Sequence, residues 1–301
     1  PGLTKQMANG TYNFPKVRFD VAVAITNTSP TGAYRGAGRP EATALIERAM
    51  DQASIELGID PLEIRRRNFI QPDQFPFDTL TGWTYDTGDY VTSMEKAADI
   101  IGYDDLREQQ RERREQGSKR ALGIGVASYV EVTSGGGGSE YASLEIHDNG
   151  TATMKAGTSA HGQGHQTSFA MIVSELTGIP VESITLVQSD TDIVPRGGGT
   201  GGSRSLQLGG SAVKEATDAV IAKAKDLTAH LLEASVDDIV VNIEDGTIGV
   251  AGVPATAISW GELAAASKKE VPKGIIDPED GMEGLAAQLD FNQENGTFPF
   301  G

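Results

Sequence analysis

Apolar positions along the chain switch several times between a two-residue and a helical period. Residues 1–15 show neither pattern. Residues 17–25 (VRFDVAVAI) alternate and predict a strand. Arg39-Pro40-Glu41 opens a helix, with proline suited to its first turn. Ala42, Leu45, Ile46, Ala49, Met50, Ala53 and Leu57 form its apolar stripe, and Gly58 is placed to end it. Asp60-Pro61-Leu62-Glu63 carries the same start signals for a second, short helix. Thr92 and Glu95 have capping-box spacing for a third helix. Its distal part, DLREQQRERREQGSKR, is almost wholly polar and reads as a solvated helix end leading into a linker.

The pattern restarts after a composition shift at residues 116–119. Residues 122–132 predict a strand. Residues 141–146 and 151–155 alternate around Asp148-Asn149-Gly150, a strong hairpin signal. Residues 163–176 predict a helix with Phe169, Ile172, Val173 and Leu176 on its apolar face and Gly178 behind it. A strand at 183–188 and a long amphipathic helix at 211–234 follow, the latter through Val213, Ala216, Val220, Leu227 and Leu231. Residues 239–243 and 247–250 pair around Asp245-Gly246, and Ser259 with Glu262 caps another short helix. Beyond Lys268 periodicity fades, and FPFG closes no element. The picture is α+β, with two domains of mixed, mostly antiparallel sheets and packed helices, spanning 1–118 and 119–301.

Charge narrows the partners. Lys and Arg total 25 against 42 Asp and Glu, a formal charge of −17. Such a balance repels phosphate backbones, which argues against nucleic acid. No apolar run approaches the roughly 20 residues of a transmembrane helix, and no signal segment opens the chain. The absence of cysteine removes disulfides, thiolate metal sites and protein-ligated iron–sulfur clusters from this chain. The composition suits a cytoplasmic globular protein.

Glycine changes the picture most. There are 37, and they cluster in TGAYRGAGRPE, GGGG at 135–138, AGTSAHGQGH and RGGGTGGSRS. Glycine permits backbone to approach a ligand closely. Gly162-Gln163-Gly164-His165-Gln166-Thr167 sets backbone N–H groups, an amide and a hydroxyl at a helix start, an anion cradle in physical terms. Gly199-Thr200-Gly201-Gly202-Ser203-Arg204-Ser205 offers the same with a guanidinium, and Tyr34-Arg35-Gly36-Ala37-Gly38-Arg39 places two more before a helix. Three cradles suggest one large, multiply anionic cofactor. Helix capping and tight turns would use the same residues. Other chemistry is weaker: there is no P-loop, dinucleotide fingerprint or serine elbow. His161 and His165 have zinc-ligand spacing, but Gly162 and Gly164 interrupt it and no third ligand stands nearby. His147 and His230 read as surface residues.

Taken in order, Ala33-Tyr34-Arg35-Gly36-Ala37-Gly38-Arg39-Pro40-Glu41, Arg66-Arg67-Asn68-Phe69-Ile70, Gly162-Gln163-Gly164-His165 and Gly199 to Ser205 resemble the molybdenum-binding large subunit of the xanthine dehydrogenase family. The likeness is greatest to bacterial members of the aerobic carbon monoxide dehydrogenase and aldehyde oxidase types, and it runs from about residue 19 to residue 260. The resemblance implies parts of two molybdopterin-binding domains. It implies molybdopterin, in bacteria usually the cytosine dinucleotide, holding molybdenum through its dithiolene without a protein cysteine. It further implies an iron–sulfur small subunit with [2Fe-2S] clusters and an FAD-binding medium subunit, in a dimer of heterotrimers. The family oxidises an aldehyde, a purine or other heterocycle, or CO, with oxygen from water.

Carried over by position, Arg35 and Gly36 match the loop beside the molybdenum, where Arg35 would stabilise negative charge developing on the substrate. Gly162, Gln163, Gly164, His165 and Thr167 match the cofactor cradle, as do Thr200, Gly201, Ser203, Arg204 and Ser205. Two departures stand out. In copper-containing CO dehydrogenases a cysteine follows the arginine; here Gly36 does, which turns the expectation towards aldehydes and heterocycles. The family's catalytic glutamate, a base near its C-terminus, has no match, since Glu262 reads as a helix cap; the family's N-terminal glutamine segment has none either. The chain therefore looks like an internal part of a subunit more than twice as long, inactive by itself. A non-catalytic cofactor-binding or assembly module on the same scaffold is the alternative, and an unrelated nucleotide-binding enzyme is a third.

Overall fold

A computed structural model describes all residues except 31, 270, 272–274, 277–280 and 295. The described chain forms two compact units, residues 1–133 with 296–301, and residues 134–295. The composition shift near residue 118 follows the end of a helix at Glu115.

The first unit is mainly helical. A short α1 (Gly2–Gln6) precedes α2 (Arg39–Leu57), whose C-cap is Gly58 as its pattern predicts. The Asp60 carboxylate accepts the Leu62 N–H and starts α3 (Pro61–Asn68). A two-stranded ladder follows, β1 (Phe77–Asp78) against β2 (Thr84–Tyr85). The predicted third helix differs in two respects. Its cap is Asp89, which accepts the Thr92 N–H, because Asp89 rather than Thr92 sits before the first turn. It also breaks at Gly102 into α4 (Tyr90–Ile101) and α5 (Tyr103–Glu115). Tyr12, Phe69, Ile70, Tyr85 and Tyr90 are central to this unit's core.

Two predicted strands of this unit do not form as such. Residues 17–25 belong to no ladder among the described residues, and Val21, Val23 and Ile25 are exposed. Alternation makes a strand only where a partner completes its hydrogen bonds. Residues 122–132 form no named strand; among the described residues they pair through an isolated bridge between Val130 and Phe300. Side chains take their earlier carbonyls: Gln110 donates to Leu122 O at 2.9 Å and Arg65 to Val126 O at 3.0 Å. FPFG is not idle, since Phe298 is buried in the core and Phe300 supplies the bridge.

The second unit carries a four-stranded sheet. The hairpin predicted around Gly150 is β3 (Ser139–Ile146) with β4 (Ala152–Ala156), Ile146 facing Ala152. β5 (Ile184–Val187) adds parallel to β4 after α6 (His165–Thr177). α7 (Ser211–Leu232) follows a π-helical turn at Ser205–Gly210 and packs its Val213, Ala216, Val220 and Leu227 into the sheet's core. A smaller sheet is formed by β6 (Ile239–Asn242), β7 (Thr247–Val250) and β8 (Ile258–Ser259). Ser259 and Glu262 form the predicted capping box on α8 (Trp260–Ser267). Beyond Lys268, residues 286–292 become β9 (Ala286–Asn292), which pairs antiparallel along the whole of β3. AAQLDFN lacks β-branched residues, so local preference does not reveal it; the waiting edge of β3 creates it.

Candidate functional site

Three of the four glycine clusters meet in the second unit. Gly164 is the left-handed N-cap of α6 and offers no side-chain cap, so the first turn keeps backbone donors without an acidic neighbour. Gly162, Gly164, Gly199, Gly201 and Gly202 have open space where a Cβ would project. Gly157 and Gly197 are the opposite case. A Cβ on Gly157 would lie 2.5 Å from Gly197 Cα and 2.8 Å from Arg196 O, so two backbones touch there.

That approach joins the two loops at their bases. Gly199 N–H donates to Gly157 O at 3.1 Å, and Ser159 N–H donates to the Thr200 hydroxyl at 3.3 Å. The Thr200 and Ser205 hydroxyls are hydrogen-bonded at 2.8 Å, and those of Ser159 and Ser189 at 2.6 Å. The 135–138 run borders them, with Ser134 N–H on Gly202 O at 3.0 Å. Gln163, exposed, accepts the His161 N–H through its side-chain oxygen, and Thr167 is exposed in the first turn of α6. Ser203 holds a positive φ of 60° in the turn before Arg204.

His165 and Arg204 both have partners within the second unit. His165 is buried, its ring stacked on Phe169 at 5.0 Å and its Nδ1 3.2 Å from Gln188 Oε1. His161 stays exposed at the loop, and no group of three or more metal-ligating side chains occurs among the described residues. Arg204 Nη2 donates to Ser139 O at 2.7 Å and lies 3.3 Å from Glu140 Oε2. Thr158 Oγ1 and Arg204 Nε are buried without a hydrogen-bond partner among the described residues. Glu140 and Thr158 escape sequence reasoning: one lies between a glycine run and the strand predicted from residue 141, the other inside a glycine cluster. His147 and Thr153 pair on the hairpin at 2.8 Å, and Glu262 is held below its usual carboxylate range by hydrogen bonds from Ser259, as a cap should be.

The fourth cluster belongs to the first unit. Residues 34–38 form a turn closed by Ala37 N–H on Tyr34 O at 2.6 Å. Arg35 is exposed on it, whereas Arg39 is buried. Arg39 Nη1 donates to Gly36 O at 3.3 Å and Nη2 to Val132 O at 3.1 Å, and Nε lies 3.3 Å from Glu131. Only one of the two guanidiniums in this loop is therefore presented to solvent. Gly36 has φ 92°, and a Cβ there would stand 2.5 Å from the Pro40 ring carbons. Arg66 and Arg67 pair with Glu63, and Arg66 also with Glu95, while the preceding Arg65 is the one buried in the core.

Residues 2–69 and 96–301 each match a family described as Molybdopterin cofactor-binding domain. The carbon monoxide dehydrogenase large chain of Hydrogenophaga pseudoflava is 35% identical over 98% of this chain and 37% of its own length. Subunit gamma of the 6-hydroxypseudooxynicotine dehydrogenase complex of Paenarthrobacter nicotinovorans is 33% identical over 99% of this chain and 37% of its own. The crystal structure of quinoline 2-oxidoreductase from Pseudomonas putida 86 superposes with a TM-score of 0.84 at 29% identity, covering 100% of this chain and 38% of that one. The chain thus spans a little over a third of the relatives it matches, and its mixed sheets and helices share their fold. Among the described residues no helix is long and apolar enough to cross a membrane.

Proposed function

Because this chain belongs to the molybdenum-binding domains of the xanthine dehydrogenase family, we propose that it holds molybdopterin in its dinucleotide form for an enzyme that oxidises an aldehyde or nitrogen heterocycle. The observation that carries this reading is the shared base of the two loops at Gly157–Gly199 and Ser159–Thr200. It draws two sets of anion-binding backbone together over one sheet end, as a cofactor with several phosphate and pterin acceptors requires. The donor set fits the group. Open glycine faces at Gly162, Gly164, Gly199, Gly201 and Gly202 let a flat or anionic ligand approach the backbone, and Gln163, Thr167, Thr200, Ser203 and Ser205 add amide and hydroxyl contacts.

When bound, molybdenum would supply the redox centre that accepts two electrons as oxygen from water reaches the substrate carbon. The chain's own part is to bind and orient. Arg35, exposed on its turn, would hold negative charge that develops on the substrate. Gly36 bears on specificity. Its φ and the Pro40 ring leave no room for a cysteine side chain, so this loop suits aldehydes or heterocycles rather than copper-assisted CO oxidation. The names of the 6-hydroxypseudooxynicotine and quinoline relatives support the heterocycle class. Iron–sulfur and FAD subunits in a cytoplasmic complex complete the reading, since the large-chain relatives are named as parts of multi-subunit enzymes.

The test is chemical analysis of the intact polypeptide that carries this chain, purified with its companions. Molybdenum together with CMP released by acid is expected. Absence of both overturns the reading. Both present without turnover on any aldehyde or heterocycle would instead mark a binding or assembly module.

A further inference from the structure

Glu140 is a carboxylate with no solvent exposure in its side chain, and the function proposed above leaves it without a task. Among the described residues, the partners of its carboxylate belong to the strand start or to the loop at 197–205. Its two oxygens face the Gly198 N–H at 3.2 and 3.3 Å, and Oε1 also accepts the Tyr141 N–H at 3.2 Å. Oε2 lies 3.3 Å from Arg204 Nη2, which also donates to Ser139 O at 2.7 Å. A buried carboxylate is tolerated only when it is paired and hydrogen-bonded. Here one charge and two amides satisfy it, and two of the three, the Arg204 guanidinium and the Gly198 N–H, belong to the loop.

We propose that Glu140 is the positioning residue of the 197–205 loop, and that the Arg204 guanidinium is its internal counter-charge rather than a ligand for the cofactor's phosphates. The inference rests on the cofactor reading above. A guanidinium already neutralised by a buried carboxylate offers little net charge to a second anion. Its Nε is buried too, out of reach of an anion arriving from solvent. A Cβ on Gly198 would collide with this guanidinium, and one on Gly157 with the Glu140 carboxylate, so one glycine from each loop leaves room for the ion pair. The outer turn, with Thr200, Gly201 and Ser205, is left to meet the anion through backbone and hydroxyl groups.

A double-mutant cycle tests this in the intact polypeptide, with two readouts: amide-exchange protection of the loop, and CMP and molybdenum retained per chain. Arg204→Gln strands a buried carboxylate, so protection at Gly198 should fall by about a hundredfold or more. Glu140→Gln should lower protection and retention less, because an amide still accepts one N–H. The double variant should recover to within about tenfold of the original, since the unpaired charge is gone. Unchanged or raised retention in Glu140→Gln, with equal losses in Arg204→Gln and the double variant, would show Arg204 to be a phosphate ligand and overturn the proposal. Additive losses overturn it as well. Should Arg204→Gln fail to fold, Glu140→Gln alone still decides between falling and rising retention. An original polypeptide with neither CMP nor molybdenum would sink the cofactor reading, while the protection cycle would still decide the role of Glu140.

Discussion

Arg65 Nε donates to Glu47 Oε2 at 2.9 Å, and the guanidinium is wholly buried. The other Glu47 oxygen accepts the Tyr12 hydroxyl at 2.5 Å, and Oε2 also takes the Ser128 N–H at 3.0 Å. Arg65 further donates to Asp51 at 2.9 Å and to Pro61 O at 3.0 Å. This network ties α2, α3 and the extended segment at 122–132 to one charge pair.

Removing one partner should therefore cost far more than a surface pair would. Glu47→Ala leaves a buried guanidinium without its counter-charge and is expected to lose about 3–5 kcal/mol. Tyr12→Phe removes one hydrogen bond to a charged group, for about 1.5–3 kcal/mol. Urea unfolding followed by tyrosine fluorescence measures both; unchanged midpoints would show that the network contributes nothing to stability.

Alkaline pH should act on the same unit. Burial pushes the hydroxyls of Tyr12, Tyr85 and Tyr90 above their usual value of 10, with the Glu47 carboxylate adding to the effect at Tyr12. Burial and Asp60 push Tyr103 up to about 12. A raised folded-state value means that the native protein keeps protons the unfolded chain has lost. The stability involved is complete below pH 10 and is lost as pH rises towards the folded values. Phenolate absorbance should thus stay low for these tyrosines until the unit unfolds, and a folded-state rise around pH 10 with the amplitude of all 7 tyrosines would contradict this.

Acid acts with the opposite sign. Hydrogen bonds from Arg67 and Arg66 hold the half-buried Glu63 carboxyl below its usual 4.5. Those from Thr92 do the same for Asp89, below 3.8. These contributions are present above the ordinary values and disappear as pH falls through the lowered ones. Both groups are partly open to solvent, so each effect is small. Side-chain carboxyl NMR should find both midpoints below the ordinary values, and the Glu63 shift should relax in Arg67→Ala.

Gly36→Ala asks whether the turn beside Arg35 tolerates any side chain. At φ 92° and 2.5 Å from the Pro40 ring, a Cβ forces the turn to move. A loss of about 1–3 kcal/mol is expected. Gly36→Cys in the intact polypeptide should bring the same loss without copper-dependent CO oxidation, read by bound copper and CO turnover. A stable, copper-loaded variant would refute the steric argument.

Gly157→Ala places a methyl group against Gly197, Arg196 O and the Glu140 carboxylate. Overpacking of this kind costs about 1–3 kcal/mol. It should also separate the two loops, seen as faster amide exchange at both Gly199 and Ser159. Faster exchange at one loop alone would argue against a shared base.

Much of this was legible in the chain. The hairpin at Gly150, the helix ended by Gly58, the helix ended by Gly178 and the Ser259 capping box follow from local turn and cap chemistry, which neighbours in sequence supply. The failures share one cause. Residues 17–25 alternate without a strand partner among the described residues, whereas β9 lacks strand character and forms because β3 offers an edge. A ladder is a property of two segments, and one segment cannot announce it.

The site divides in the same way. By itself the sequence determined the glycine-rich clusters, their order and spacing, the absence of cysteine, and Gly36 beside Arg35. Residue type and spacing fix which groups the backbone can expose. Only the tertiary structure decided where those groups turn: that His165 stacks on Phe169, that Arg39 is buried, and that Arg204 answers Glu140. A side chain's direction depends on what is packed against it and on which buried charge must be neutralised, and both come from residues far away in the chain.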